Sequence, residues 1–326
     1  MRISVVIPAH NASATIRETL DSVLAQTLPP DEILVMDDGG TDNTAAVVAG
    51  YAPRVALMRQ SNQGVAAARN ALCAQSKGDL VAFLDHDDIW HPRYLETQSG
   101  MFQKYPEAQA FFTGHTNFFG FGAYRPPFDT HFSGVQARLI APLDFLEQYH
   151  KATGCFASMS YCCVPRSTLS RLGPEIFKFD GADDYYFCTC LPLLGPVVYA
   201  NVPLVAYRIT EQGFSNDWLK MIERSVSVFE ALLKRYQLET DARFLAVFRK
   251  HFASRRRQYG RLLMAASRAS QGRCQFWQAM RNSLAPSSVA KSLAWLLASY
   301  LPQPFQPKWP PLRRQWNAKA VAELPD

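Results

Sequence analysis

The chain has 326 residues, 48% of them hydrophobic and 19% charged, which excludes a disordered or fibrous protein and leaves one large domain or two ordinary ones. Its net charge of +6 divides unevenly: residues 219–326 carry 19 Lys/Arg against 6 Asp/Glu, while residues 1–218 are acidic. No apolar run reaches the ~18 residues of a membrane span; the best candidate, Ser292 to Leu301, stops at Pro302.

The chain opens MRISVVIPAHNAS. With no long apolar stretch and no small-residue cleavage site, no secretory signal is expected. Ile3–Pro8 is a β-branched apolar run and predicts a buried strand. Asn11 or Ser13 caps a predicted helix whose apolar positions are Ile16, Leu20, Val23 and Leu24, and Pro29-Pro30 ends it. Strands are predicted at Glu32–Met36, Val55–Met58 and Leu80–Leu84. Helices are predicted at Thr41–Ala49, Gly64–Gln75 and Pro92–Tyr105. This alternation predicts an α/β fold, a Rossmann-like, mostly parallel sheet with helices on both faces. Ligands of such sheets sit at the carboxyl ends of the strands.

Residues 114–142, rich in Gly, Pro and aromatics, read as a long loop. Short helices follow at Phe145–Tyr149 and Pro165–Leu172, then late strands at Val197–Ala200 and Leu204–Tyr207. From Trp218 onward the periodicity becomes that of long helices. The segment Pro302–Pro311 is Pro-rich and extended. The seven cysteines include Cys162-Cys163 and Cys188-x-Cys190 but no C-x-x-C spacing, so they read as reduced, mostly buried thiols of a cytoplasmic protein.

Four clusters fall at predicted strand ends or loops: Pro8-Ala9-His10-Asn11; Asp37-Asp38-Gly39-Gly40-Thr41-Asp42; Asn62 to Asn70, containing Arg69; and Asp85-His86-Asp87-Asp88. Asp and Gly there are also ordinary turn residues. Three carboxylates within four residues repel one another, so the last cluster implies a cation or an unusual pKa. Oxygen ligands at a strand end suit Mg²⁺ or Mn²⁺ bridging a diphosphate; a solvated acidic turn is the plainer alternative. A fifth cluster, Asp183-Asp184, precedes Tyr185-Tyr186-Phe187. Carboxylates among aromatics tend towards raised pKa values, which suits a general base.

In this order, the motifs V-V-I-P-A-H-N, D-D-G-G-T-D, G-V-A-A-A-R-N, F-L-D-H-D-D and G-A-D-D resemble glycosyltransferase family 2 over about residues 1–215. The resemblance implies an A-type glycosyltransferase fold, with a nucleotide-binding half at 1–113 and an acceptor half at 114–215; charge and periodicity add a basic helical region with a Pro-rich tail at 216–326. It implies that Pro8, Ala9, His10, Asp37, Asp38, Arg69 and Asp85 bind the nucleotide-sugar. Asp87, with Asp85, would bind Mn²⁺ or Mg²⁺, and Asp184 would be the base beside Asp183. Gly40 and Asp183 replace the family's usual Ser and Glu. Thr210 stands where the family often has a metal-binding His. The implied reaction is transfer from a nucleotide-sugar, UDP-linked, to an acceptor hydroxyl with inversion. The alternative is a catalytically silent relative that binds nucleotide-sugar or glycan as a scaffold, a reading that Thr210 favours slightly and that the intact D-x-D motif and acidic pair oppose.

Aromatics of the 114–142 loop either cover the acceptor or simply pack. The basic helices, with Arg255-Arg256-Arg257, Arg313-Arg314, Trp277, Trp295, Trp309 and Trp316, either lie on an anionic membrane surface or form a solvated appendage. A glycan or lipid-linked acceptor at the inner face of the plasma membrane suits the first reading. Nucleic acid is not expected, because no recognition motif accompanies the charge.

Overall fold

The computed structural model describes residues 1–119, 136–151, 157–209, 217–283, 285–301 and 306–308. The chain forms two compact units, Met1–Phe145 with Ala152–Thr210 and Leu146–Lys151 with Glu211–Asp326.

The first unit begins with alternating strands and helices. Strands β1 (Ile3–Ala9), β2 (Glu32–Asp38), β3 (Ala56–Gln60) and β4 (Leu80–Phe83) alternate with helices α1 (Ile16–Leu24), α2 (Thr44–Ala49) and α3 (Val65–Gln75). These strands are all parallel, in the order β3-β2-β1-β4. Every residue of β1 is buried, as a central parallel strand requires. Ile16, Leu20 and Val23 bring the apolar stripe of α1 into the same core as Val5, Ile7 and Val35.

The rest of the unit makes the sheet mixed. It contains β5 (Ile89–Trp90), α4 (Tyr94–Lys104), β6 (Phe111–Phe119), β7 (Ala137–Ile140), the first four residues of α5 (Pro142–Lys151), β8 (Cys162–Pro165), α6 (Arg166–Leu172), α7 (Asp183–Cys190) and β9 (Val197–Ile209). Among the described residues the full order is β3-β2-β1-β4-β8-β6-β9-β5, with β7 also paired to β9.

Several sequence expectations change here. Two parts of the expected 114–142 loop are strand: 114–119, where β6 continues through Gly114 alongside β9, and β7 at Ala137–Ile140. Residues 120–135, with Phe121, Tyr124, Phe128 and Phe132, lie outside the described residues. The two expected late strands are one, β9. Asn201 and Pro203 look like breakers, but a register shift at Gly114 absorbs them; a Cβ at Gly114 would meet the Val202 carbonyl oxygen at 3.1 Å. Pro165 ends a strand rather than starting a helix, which begins at Arg166. Neither Asn11 nor Ser13 caps α1, which begins after Thr15. Asn11 instead adopts φ +49° and accepts a 2.8 Å hydrogen bond from the Thr41 amide.

The second unit contains α8 (Trp218–Glu239), α9 (Ala242–Ala265), α10 (Ala269–Asn282) and α11 (Pro286–Ala298). Asp217 and Asp241 cap α8 and α9 by accepting from the Lys220 and Phe244 amides, satisfying donors that lack partners within the helix. Phe229, Tyr236, Phe248 and Phe252 stack between α8 and α9. At Gly260 and Gly272, α9 and α10 approach so closely that a Cβ at Gly260 would sit 2.6 Å from the Phe276 ring.

The Arg255-Arg256-Arg257 run is largely committed to packing. Arg256 is buried, stacks on Phe252 and donates to Glu230, Gln275 and Gln278. Arg257 donates to Ser288 and Ser292, and Arg255 to Gln258. Arg313, Arg314, Trp309 and Trp316 lie outside the described residues. Among the described residues no helix is long and apolar enough to cross a membrane, and the cysteines are unbridged: five are buried and Cys274 is exposed.

Candidate active site

Parallel pairing puts the ends of β1 and β2 side by side, with Pro8 opposite Met36 and Ala9 opposite Asp37. Pro8 and Ala9 are buried, and His10 emerges into solvent. His10 is oriented through Nδ1, 2.9 Å from the Asp38 carbonyl oxygen, with Nε2 facing the Asn11 and Asn62 amide groups.

The adjacent Asp37 and Asp38 build the loops around them. Asp37 accepts from the Gly40 amide at 3.0 Å and from Arg59 Nε at 3.2 Å. Asp38 accepts from Gln60 Nε2 and from the amides of Gln63 and Gly64, all within 2.9 Å. Both carboxylates are buried; these charge-assisted bonds offset their desolvation. Gly39 has φ +68°, and a Cβ there would reach the Asn62 amide nitrogen at 2.6 Å. Glycine is therefore required where the two loops meet.

The second group centres on Arg69, a buried side chain on α3. Its Nη1 bonds Asp183 and its Nη2 bonds Asp85. One guanidinium thus joins the end of β4 to the start of α7, a use of its planar fork that Lys lacks. Burial works against the Arg69 charge, but Asp183, Asp85 and Asp184 outweigh it and raise its pKa. Burial raises the Asp183 pKa despite this partner.

Asp184 is half-buried. Burial, reinforced by the Asp183 charge, pushes its carboxyl up to about 6, against the pull of Arg69 and a 2.6 Å hydrogen bond from the Tyr185 amide. It is thus poised near neutrality, as a general base requires.

The Asp85–Asp88 turn is held from three sides. The Asp85 amide donates to Ser160 Oγ at 3.1 Å. The Thr19 hydroxyl lies 2.9 Å from the carbonyl oxygens of His86 and Asp88. From β9, the Arg208 amide donates to Asp88 Oδ1, its Nε donates to the Asp87 carbonyl oxygen, and its guanidinium pairs with Glu18. Burial raises the pKa of both Asp87 and Asp88, with added repulsion within the cluster. Among the described residues Asp88 Oδ2 is buried without a hydrogen-bond partner.

Crowded carboxylate oxygens with raised pKa values have the donor chemistry of a hard divalent cation. Among the described residues, however, no three His, Cys, Asp or Glu side chains converge as a metal cage. The fit is to an ion held by one or two carboxylates and completed by substrate phosphate and water. Thr210 lies outside the described residues.

The structure thus gathers Pro8, Ala9, His10, Asp37 and Asp38 at one pair of strand ends. It joins Arg69, Asp85 and Asp183 in one ion-paired group with Asp184 beside it. Sequence reading missed several supporting residues. Asp180 accepts from the Val65 amide at 2.8 Å, and Asn70 exchanges two 2.9 Å bonds with the Phe177 backbone. Both tie the segment before α7 to α3. The acidic spacing Asp180-Gly181-Ala182-Asp183 was the available signal for Asp180; Asn70 closes the G-V-A-A-A-R-N motif, which did not show its role, and Ser160 and Thr19 had no signal.

Residues 4–163 match the family model Glycosyl transferase family 2. Glycosyltransferase GlyA of Streptococcus pneumoniae is 27% identical over 67% of this chain, but the match spans only 32% of GlyA. An Escherichia coli relative, UDP-Glc:alpha-D-GlcNAc-diphosphoundecaprenol beta-1,3-glucosyltransferase WfgD, is 28% identical over 69% of this chain and 84% of its own. The fold resembles Staphylococcus aureus TarS 1–349, solved in complex with UDP-GlcNAc, with a TM-score of 0.67 at 17% identity over 92% of this chain and 89% of that one.

Proposed function

Through residues 4–163 this chain belongs to glycosyltransferase family 2, and we propose that it transfers a sugar from a UDP-linked donor to an acceptor hydroxyl with inversion. The observation that carries this reading is the Arg69 junction, which sets a carboxyl with a pKa of about 6 beside the acidic end of β4. Residues 1–113 hold the donor, with Pro8, Ala9 and His10 bordering the base and Asp37 and Asp38 shaping its pocket; residues 114–215 hold the acceptor.

Asp184, deprotonated at neutral pH, takes the proton of the acceptor hydroxyl. The freed oxygen forms a bond to the anomeric carbon from the face opposite the diphosphate. The bond from that carbon to the diphosphate oxygen breaks, and UDP leaves with the electron pair. Asp183 and Arg69 position the base and keep Asp85 in place. Mn²⁺ or Mg²⁺ at Asp87, with Asp85, would neutralise charge on the leaving diphosphate. The name of WfgD supports a UDP-sugar donor and a lipid-linked acceptor, a pairing that suits work in the cytoplasm at the inner face of the plasma membrane.

A thermal-shift panel of nucleotide-sugars with Mn²⁺ tests this reading. A donor present at 100 times its Kd stabilises its target by about 2.7 kcal/mol, so one UDP-sugar should raise Tm above its ADP and GDP counterparts. No shift with any nucleotide-sugar would overturn the proposal.

A further inference from the structure

Helix α11 is inside out. Its buried residues are serines: Ser288 and Ser292, followed just beyond its end by Ser299. Arginines from neighbouring helices hold this polar face. From α9, Arg257 Nη1 donates to the hydroxyls of Ser288 and Ser292 at 2.8 and 3.1 Å. From α10, Arg273 donates to Ser299 Oγ and to its carbonyl oxygen. The opposite face carries Leu293 and Leu297, and Tyr300 and Leu301 follow in the turn just beyond the helix, at i, i+4, i+7 and i+8. Their exposures run from 43% to 63%. The turn after Ala298 continues the winding, its Tyr300 and Leu301 amides bonding back to the Leu297 and Ala298 carbonyl oxygens, so that this spacing makes one stripe. Trp277 on α10 is 55% exposed, one turn beyond the Arg273 whose guanidinium stacks 4.0 Å over Tyr300.

A single exposed Leu needs no explanation, but a stripe of four large apolar residues with an aromatic neighbour marks an interaction surface. Inward serines fixed by arginines make the orientation part of the packing rather than a frayed end. The charge around the stripe selects the occupant. From Ala242 to Ala322 the sequence contains no Asp or Glu. Lys291 and Arg281, on the same two helices, are exposed. A purely basic surround with Leu, Tyr and Trp is the composition of a helix lying in an anionic bilayer interface. An acid-free surface also repels a second copy of itself.

We propose that the exposed face of α11, with Trp277 of α10, is a docking surface for an anionic lipid bilayer. Leu293, Leu297, Tyr300 and Leu301 enter the headgroup boundary, while Lys291 and Arg281 meet lipid phosphates. The inference deepens the membrane placement proposed above. It assigns contact to this stripe rather than to the Arg255–Arg257 run, whose side chains are engaged within the unit.

Flotation of the whole protein with vesicles of phosphatidylcholine alone, or mixed with phosphatidylglycerol, tests it. Light scattering gives the oligomeric state of the same samples. Wild type should float with the anionic vesicles, less in high salt, and little with the neutral ones. Leu297→Ser, which removes an exposed side chain and should fold normally, should weaken binding on the order of ten-fold. Lys291→Gln should weaken it about five-fold. Arg255→Gln, away from the stripe, should bind as wild type does.

If wild type floats and Leu297→Ser floats equally, the surface is wrong while the membrane reading stands. If wild type floats with neither vesicle, both fail, whatever the transferase assay shows. If wild type is a dimer that Leu297→Ser disperses, the stripe belongs to a second copy and the proposal is overturned.

Discussion

Arg69→Met removes the guanidinium joining Asp85 to Asp183 while keeping most of the side-chain volume. Arg69 is 5% exposed and Asp183 3%, so the lost partner leaves a carboxylate with little water to replace it. Breaking a buried pair from one side costs about 3–5 kcal/mol. The cost should depend on pH with a definite sign. Burial holds Asp183 above its ordinary pKa even with Arg69 present, and removing Arg69 raises it further. A carboxyl with a raised folded-state pKa binds more protons folded than unfolded, so its contribution to stability falls as pH rises from the unfolded value through the folded one. The variant should therefore lie closest to wild type at pH 5 and furthest below it at pH 8. Urea unfolding at both pH values measures this. A double-mutant cycle with Asp183→Asn isolates the charge effect: the double variant should be more stable at pH 8 than Arg69→Met alone, because the unpaired charge is gone. Equal stability of wild type and Arg69→Met at pH 8, or a loss unchanged between the two pH values, would refute the reasoning.

The transfer rate should rise with pH through an acid limb near 6, the value to which burial and Asp183 push Asp184; the pH profile of kcat measures it. Asp87→Asn should abolish the Mn²⁺ dependence of UDP binding in calorimetric titration, since Asp87 is the proposed metal contact. Gly64→Ala places a Cβ 2.6 Å from Asp180 Oδ1 at φ +88°, so it should cost roughly 1–3 kcal/mol in urea unfolding and weaken UDP affinity. Gly260→Ala forces apart α9 and α10 at the Phe276 ring. It should destabilise the helical unit by about 1–3 kcal/mol, with UDP affinity unchanged by calorimetry.

Strands β1, β2 and β4 were legible because central parallel strands are continuous apolar runs, as in Ile3–Ala9; β3, partly exposed at the sheet edge, was marked only by the short run Val55–Met58. The strands that were missed lack that signal. Strand β5 has two residues, and β8 is Cys162–Pro165, ending in a proline. Strand β9 runs through Asn201 and Pro203, which read locally as a turn; only pairing to β6 carries the backbone through.

At the site, the acidic clusters were legible because Asp and Gly accumulate where strands end in tight turns. Their connections were not: Arg69 and Asp183 are 114 positions apart, and no local pattern records a long-range pair. Asp38 shows the limit most clearly, since its position was legible but its three bonds to side chain and backbone donors were not. Helix α11 misleads in the opposite sense. Its leucines suggest an inward face, and only the arginines of α9 and α10 reveal that the serines are inside.

The proposed transfer depends above all on Asp184 taking the acceptor proton. UDP release from a UDP-sugar in the presence of a lipid-linked acceptor, measured for wild type and Asp184→Asn beside calorimetric UDP affinity, tests it directly. Turnover of Asp184→Asn should be lower by on the order of 10²–10⁴-fold with UDP affinity nearly unchanged. An Asp184→Asn variant that turns over at the wild-type rate would contradict it.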